Sequence, residues 1–133
     1  MSSQISRSAA KFFWIGKPFR ERNTVVTVNG CHVSLELHGN VIAAREGNRF
    51  KVRTVKNTQT TRARLSALMQ KYSGVVMSSK GRVTAQYQLV PGVNDITTVE
   101  IAPGTDWTLI DPGSPIEQLA MILTRKGADE NVI

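Results

Sequence analysis

Cysteine is almost missing: Cys31 stands alone among 133 residues, which excludes an internal disulfide framework and a Cys-rich zinc site. Long apolar runs are missing too. No stretch nears the ~20 residues of a membrane span, and the patch Phe12–Ile15 is too short for a signal-peptide core and has no small-residue cleavage site after it. A cytoplasmic protein is therefore expected. Acids are scarce in the first 90 residues, where only Glu21, Glu36 and Glu46 occur, too scattered for a nuclease metal cluster. There is no Gly-rich phosphate loop ending in Lys-Ser/Thr, no nucleophile elbow and no His-Glu-x-x-His helix. Those absences argue against an enzyme, and no cofactor is expected. His32, Glu36 and His38 would share a face if they lay on one strand, but no clustered ligand joins them, so no metal is expected either. Cys31 falls in a strand-like alternation and reads as a small buried hydrophobe.

Positive charge is abundant and unevenly placed. Residues 1–90 carry 15 Lys/Arg against three acids, and residues 91–133 carry two against seven, within a chain of net charge +7. A sequence pI near 10.1 exceeds the rough threshold of ~9 at which nucleic acid becomes the first partner to consider. A basic body with an acidic end suits a polyanion partner and a segment that limits or orients that contact.

The length allows one domain with a sizeable core. Residues 1–23 form a basic, aromatic segment holding Phe12, Phe13, Trp14 and Phe19. Its Ser-rich first ten residues are expected to be mobile. From Thr24 the pattern turns β. Thr24–Asn29, Cys31–Leu37, Val41–Arg45 and Arg49–Val55 read as strands of a meander, joined at Asn29-Gly30, His38-Gly39-Asn40 and Glu46-Gly47-Asn48. On the fourth strand Arg49, Lys51 and Arg53 alternate with Phe50 and Val52, placing three cations on one face roughly 6.5–7 Å apart.

Thr60–Tyr72 reads as a helix capped by Thr60 or Thr61, with Leu65, Leu68, Met69 and Tyr72 on its apolar stripe and Gly74 as its stop. Arg62 and Arg64 lie in its first turn, where the dipole disfavours cations unless an anion binds. Val75–Ser79 and Arg82–Val90 form a hairpin around Lys80-Gly81. Short strands follow at Val93–Ile101 and Trp107–Ile110, after a turn at Pro91-Gly92. Trp107, among acids, is assigned to the core. Ser114-Pro115-Ile116-Glu117 opens a capped C-terminal helix over 115–126. The expected architecture is thus α+β in a single domain: an antiparallel β-meander sheet with one central and one C-terminal helix. The expected organisation is a segment 1–23, a domain 24–127 and an acidic tail 128–133.

The run Leu35-Glu36-Leu37-His38-Gly39-Asn40-Val41-Ile42-Ala43, followed by Thr60-Thr61-Arg62-Ala63-Arg64-Leu65-Ser66-Ala67-Leu68, resembles small proteins of tailed bacteriophages. Their pattern is LHGNxIA, a strand or two, then TRTTxxRLNAL. The resemblance spans roughly residues 24–88 and implies a phage context, the cytoplasm of an infected bacterial host. In character the chain is similar to phage single-stranded DNA-binding cofactors of transcription and replication.

Single strands are held by cationic grooves and by aromatic faces on which bases stack. The phosphate-binding residues expected are Lys11, Lys17, Arg20, Arg22, Arg49, Lys51, Arg53, Lys56, Arg62, Arg64, Lys80 and Arg82. The expected stacking residues are Phe12, Phe13, Trp14, Phe19 and Tyr87. The expected partner is single-stranded DNA, with RNA as the alternative nucleic acid, bound with low sequence specificity. A phage RNA polymerase or replication protein and further copies of the chain are candidate protein partners. The competing reading is an interaction protein, a virion component or an inhibitor of a host factor, whose basic face meets an acidic protein. Peripheral membrane binding through Phe12–Ile15 is a third.

Overall fold

The structure is a computed structural model and describes residues 4–90 and 95–113. Its elements, in order, are helix α1 (Gln4–Ile15), strands β1 (Phe19–Glu21), β2 (Thr24–Asn29), β3 (His32–Leu37), β4 (Asn40–Glu46) and β5 (Arg49–Val52), helix α2 (Gln59–Met69) and a 3-10 turn (Gln70–Tyr72). Strands β6 (Val75–Ser79), β7 (Arg82–Tyr87), β8 (Thr97–Ile101) and β9 (Thr108–Pro112) follow. The α+β class is as expected. The C-terminal helix over 115–126, the tail 128–133 and the turn at Pro91-Gly92 lie outside the described residues.

The meander from β2 to β5 forms in sequence order because its connections are tight two-residue turns. β1 extends it on one side and β9 closes onto β5, giving a six-stranded antiparallel sheet ordered β1-β2-β3-β4-β5-β9. The first hairpin turns one residue later than expected. Asn29 pairs with His32, so the turn residues are Gly30, at φ 62°, and Cys31. Only the first needs the left-handed region, as in a II′ turn. Cys31 therefore lies in the turn and is exposed, not buried as the alternation suggested.

One face of the sheet is apolar: Val26, Val33, Leu35, Ala43, Phe50 and Val52 are buried on it. Helices α1 and α2 cover that face and pack against each other. Between them, Arg64 of α2 donates to Ser6 Oγ of α1 at 2.6 Å and to Thr24 Oγ1 of β2 at 3.1 Å. β6, β7 and β8 form a separate three-stranded sheet that continues the core through Val76, Ala85, Tyr87 and Ile101.

Over its described residues the N-terminal segment is helical and packs into the core. Ser6, Ala9, Ala10 and Phe13 recur at i, i+3, i+4 and i+7 and are buried, the spacing that puts them on one face of the helix. Gly16, at φ 76°, ends α1 by donating to Phe12 O at 2.9 Å, the left-handed C-terminal stop of many helices. Arg45 of β4 completes the end. Its guanidinium donates to Phe13 O at 3.0 Å and Trp14 O at 3.3 Å, carbonyls a helix terminus leaves without intrahelical partners.

α2 starts earlier than expected. Thr58, not Thr60 or Thr61, accepts from Thr61 N at 3.1 Å as the N-cap. At the far end Ser73 takes the left-handed conformation. Gly74 serves a different need: a Cβ there would stand 2.7 Å from Tyr87 Cβ and 2.9 Å from Gln86 O, so a side chain would force the second sheet away from α2.

Candidate nucleic-acid interface

The sheet face opposite the helices is formed by the other half of each alternation. β5 presents Arg49 and Lys51 there, since Phe50 and Val52 face the core, and Arg53 follows immediately after the strand. Arg20 of the edge strand β1 is paired with Val25 and lies some four strand spacings, about 19 Å, from β5. The strands between carry mainly small or polar side chains. They line a shallow cavity of about 320 Å³ bounded by Thr27, His32, Ser34, Ala44, Glu46 and Lys51. Glu36 and Glu46 also occupy this face by register, and Glu46 Oε1 is 3.6 Å from His32 Nε2.

Trp107 is not in the core. It is half-buried beside β5, with Lys51 Nζ 4.5 Å and the Arg53 guanidinium carbon 4.3 Å from its ring centroid. Charge decides this placement. The aromatic quadrupole attracts cations, and Lys51 and Arg53 reach the ring across more than fifty residues of sequence. Arg53 is fixed in turn: it donates through Nε to Val41 O at 2.6 Å and through Nη1 to Thr105 O at 3.3 Å. That clamp joins β4 to the loop that carries Trp107. No local pattern marks the loop tryptophan, because its partners come from another strand.

The remaining phosphate-binding candidates divide sharply. Lys11, Lys17, Arg20, Arg22, Lys56, Lys80 and Arg82 are exposed. Arg62 is half-buried and bonded to Asn57 Oδ1. Arg64 is a correction: it is 7% exposed and its guanidinium is engaged by Ser6 and Thr24 inside the core. Two stacking candidates are corrected likewise. Phe13 is fully buried, and Tyr87 is buried with its hydroxyl donating to Ile110 O at 2.8 Å. Trp14 packs edge-on against Phe13, Phe50 and Tyr72, and its Nε1 donates to Leu68 O at 3.1 Å. Phe12 and Phe19 stack on each other, centroids 5.3 Å apart, closing the link from α1 to β1.

A second recess, of about 760 Å³, lies between the helices over Trp14. Ala10, Trp14 and Ala67 form its floor, and Arg7, Lys11 and Lys71 its rim, with Lys71 Nζ 4.2 Å from the Trp14 ring centroid. Among the described residues no helix is long and apolar enough to cross a membrane.

Against known proteins, the family model of the Kyanoviridae Gp96 protein matches residues 2–108, well over half the chain. No curated protein and no solved structure matches.

Proposed function

We propose that this chain, which belongs to the Kyanoviridae Gp96 family of phage proteins, binds single-stranded nucleic acid on the open face of its six-stranded sheet. One observation carries the reading: Lys51 and Arg53 flank Trp107 on a face that, among the described residues, neither α1 nor α2 covers. A positively charged track beside an aromatic ring is the arrangement that holds unpaired strands. Arg49 extends the track along β5, and Arg20 supplies a cation at the opposite edge. A shallow sheet face reads no base edges in a duplex groove, so sequence specificity is low. The protein acts without chemistry of its own, as a cofactor of phage transcription or replication in the cytoplasm of the infected host. A phage polymerase or replication protein, and further copies of the chain, are the protein partners of this reading.

The recess over Trp14 favours the second reading, an interaction protein. An apolar floor with three cations at its rim fits an acidic partner segment. The two readings use opposite faces of the molecule, so substitutions separate them.

The deciding experiment compares a mixed-sequence single strand with its own duplex at two salt concentrations. Tighter binding to the single strand supports the reading. Equal affinity reduces it to general electrostatics, and no binding to either removes it.

A further inference from the structure

The turns Gly30-Cys31 and Gly47-Asn48 lie side by side at one end of the open face. Their flanking residues are successive partners: Asn29 with His32, His32 with Glu46, Glu46 with Arg49. Gly47 N donates to Cys31 O at 3.3 Å and ties the turns together. This brings a thiol, an imidazole and a carboxylate into one cluster: the ligand atoms of Cys31, His32 and Glu46 all lie within 4.8 Å of one another.

We propose that Cys31, His32 and Glu46 bind a zinc ion. Tetrahedral zinc, with bonds of about 2.0–2.3 Å, holds neighbouring ligand atoms about 3.3–3.6 Å apart. His32 Nε2 and Glu46 Oε1 are already 3.6 Å apart, and the exposed Cys31 side chain closes the remaining distance by rotation. Sulfur, nitrogen and oxygen donors together select a borderline-soft ion, whereas magnesium and calcium take oxygen alone. Three protein ligands leave a fourth position for water. The thiol's location is otherwise unaccounted for. The second residue of a turn of this type is commonly Asn, Asp or Ser, and Cys31 packs into no core. Arg49, in register with Glu46, repels a dication and limits the affinity. The donors come from two hairpins, so no sequence spacing announces them.

Cobalt is the spectroscopic probe, titrated into the reduced full-length chain without nucleic acid. A single equivalent should produce a near-ultraviolet thiolate-to-cobalt band and visible bands of tetrahedral intensity, both removed by added zinc. Cys31→Ser should abolish the thiolate band. Losing even an outer partner of a bound metal costs about 10–100-fold in affinity, so His32→Ala and Glu46→Gln should each weaken zinc binding at least that much. Zinc should raise the thermal midpoint of the parent chain more than that of these variants. The substituted side chains are exposed or half-exposed, so the metal-free variants should unfold at the parent's midpoint. Absence of the band, its survival in Cys31→Ser, affinity unchanged in both His32→Ala and Glu46→Gln, or one metal shared by two chains would each overturn the site. None of these results depends on whether the chain binds nucleic acid.

Discussion

Lys51 and Trp107 face each other at 4.5 Å across the junction of β5 with the loop before β9, and that pair is the centre of the proposed binding face. Its two neighbours differ in role. Arg49 and Lys51 belong to the strand's open side, whereas Arg53 also holds the backbone at Val41 and Thr105. Arg49→Ala with Lys51→Ala should therefore leave thermal unfolding nearly unchanged. The same pair should flatten the plot of log affinity against log salt by about 0.7 for each single-strand phosphate that is no longer neutralised. Arg53→Ala should lower the melting temperature as well, because it leaves two carbonyls without their donor. Salt-dependent gel shifts and thermal melts measured together distinguish the two effects.

The two tryptophans should separate binding from packing. Trp107→Ala should weaken single-strand binding by about 1–3 kcal/mol, the usual worth of one stacked base, with a small change in stability. Trp14→Ala should instead cost roughly 3–5 kcal/mol of stability, with normal binding by the fraction that folds. The variant Trp14→Phe leaves Trp107 as the sole tryptophan of the chain, so its fluorescence should report oligonucleotide binding directly. Fluorescence indifferent to a saturating single strand would remove Trp107 from the interface.

Arg64 is a structural residue despite its charge. Removing it leaves Ser6 and Thr24 without their donor, and hydrogen bonds to a charged group are worth roughly 1.5–3 kcal/mol each. Arg64→Ala should lower stability by about 3 kcal/mol or more in chemical denaturation. Any loss of nucleic-acid affinity should vanish once the folded fraction is taken into account. Full stability with weakened binding would reverse the assignment.

Alkaline pH provides a test of the core. Burial pushes the Tyr72 hydroxyl far above its ordinary value, and neighbouring Asp111, which accepts its hydrogen bond at 3.0 Å, adds to the effect. Burial raises Tyr87 as well. In the unfolded chain both ionise near pH ~10, while the folded chain keeps them protonated. Stability from these groups is therefore complete below about pH 10 and declines as pH rises beyond it. Stability should fall between about pH 10 and 11 by about 1.4 kcal/mol for Tyr72, with Tyr87 acting in the same direction. Tyr72→Phe should be less stable at neutral pH and should show a shallower alkaline decline.

Strands β2 to β5 are legible in the sequence because turn residues punctuate an alternation that local sterics enforce, and α2 because its leucines follow helical spacing. Helix α1 is hidden by its own packing. Three of the four residues it buries, Ser6, Ala9 and Ala10, are small enough to read as a polar tail, although with Phe13 their i, i+3, i+4, i+7 spacing is present. Arg64 misleads for a related reason: it follows Thr61 by three and precedes Leu68 by four, and so lies on the buried stripe. The cation face of β5 is visible as alternation. What it meets is not, because Trp107 and Thr105 come from a distant loop and Val41 from another strand, joined to it by side-chain contacts. The same holds for Arg45, whose role as the cap of α1 depends on a helix about thirty residues earlier.

The way α1 is held also sets when the growing chain can fasten it. This 12-residue helix is made before the strands and the helix it packs against, yet a helix that short is marginal alone in water. Its C-terminal carbonyls wait for Arg45, and Ser6 waits for Arg64, 58 positions downstream. Until both have emerged, the nascent meander holds an apolar face with no helices on it, and partly made chains of this kind are prone to association. Translation thus delivers one half of the cover before the residues that fasten it, leaving an interval in which the growing chain exposes apolar surface.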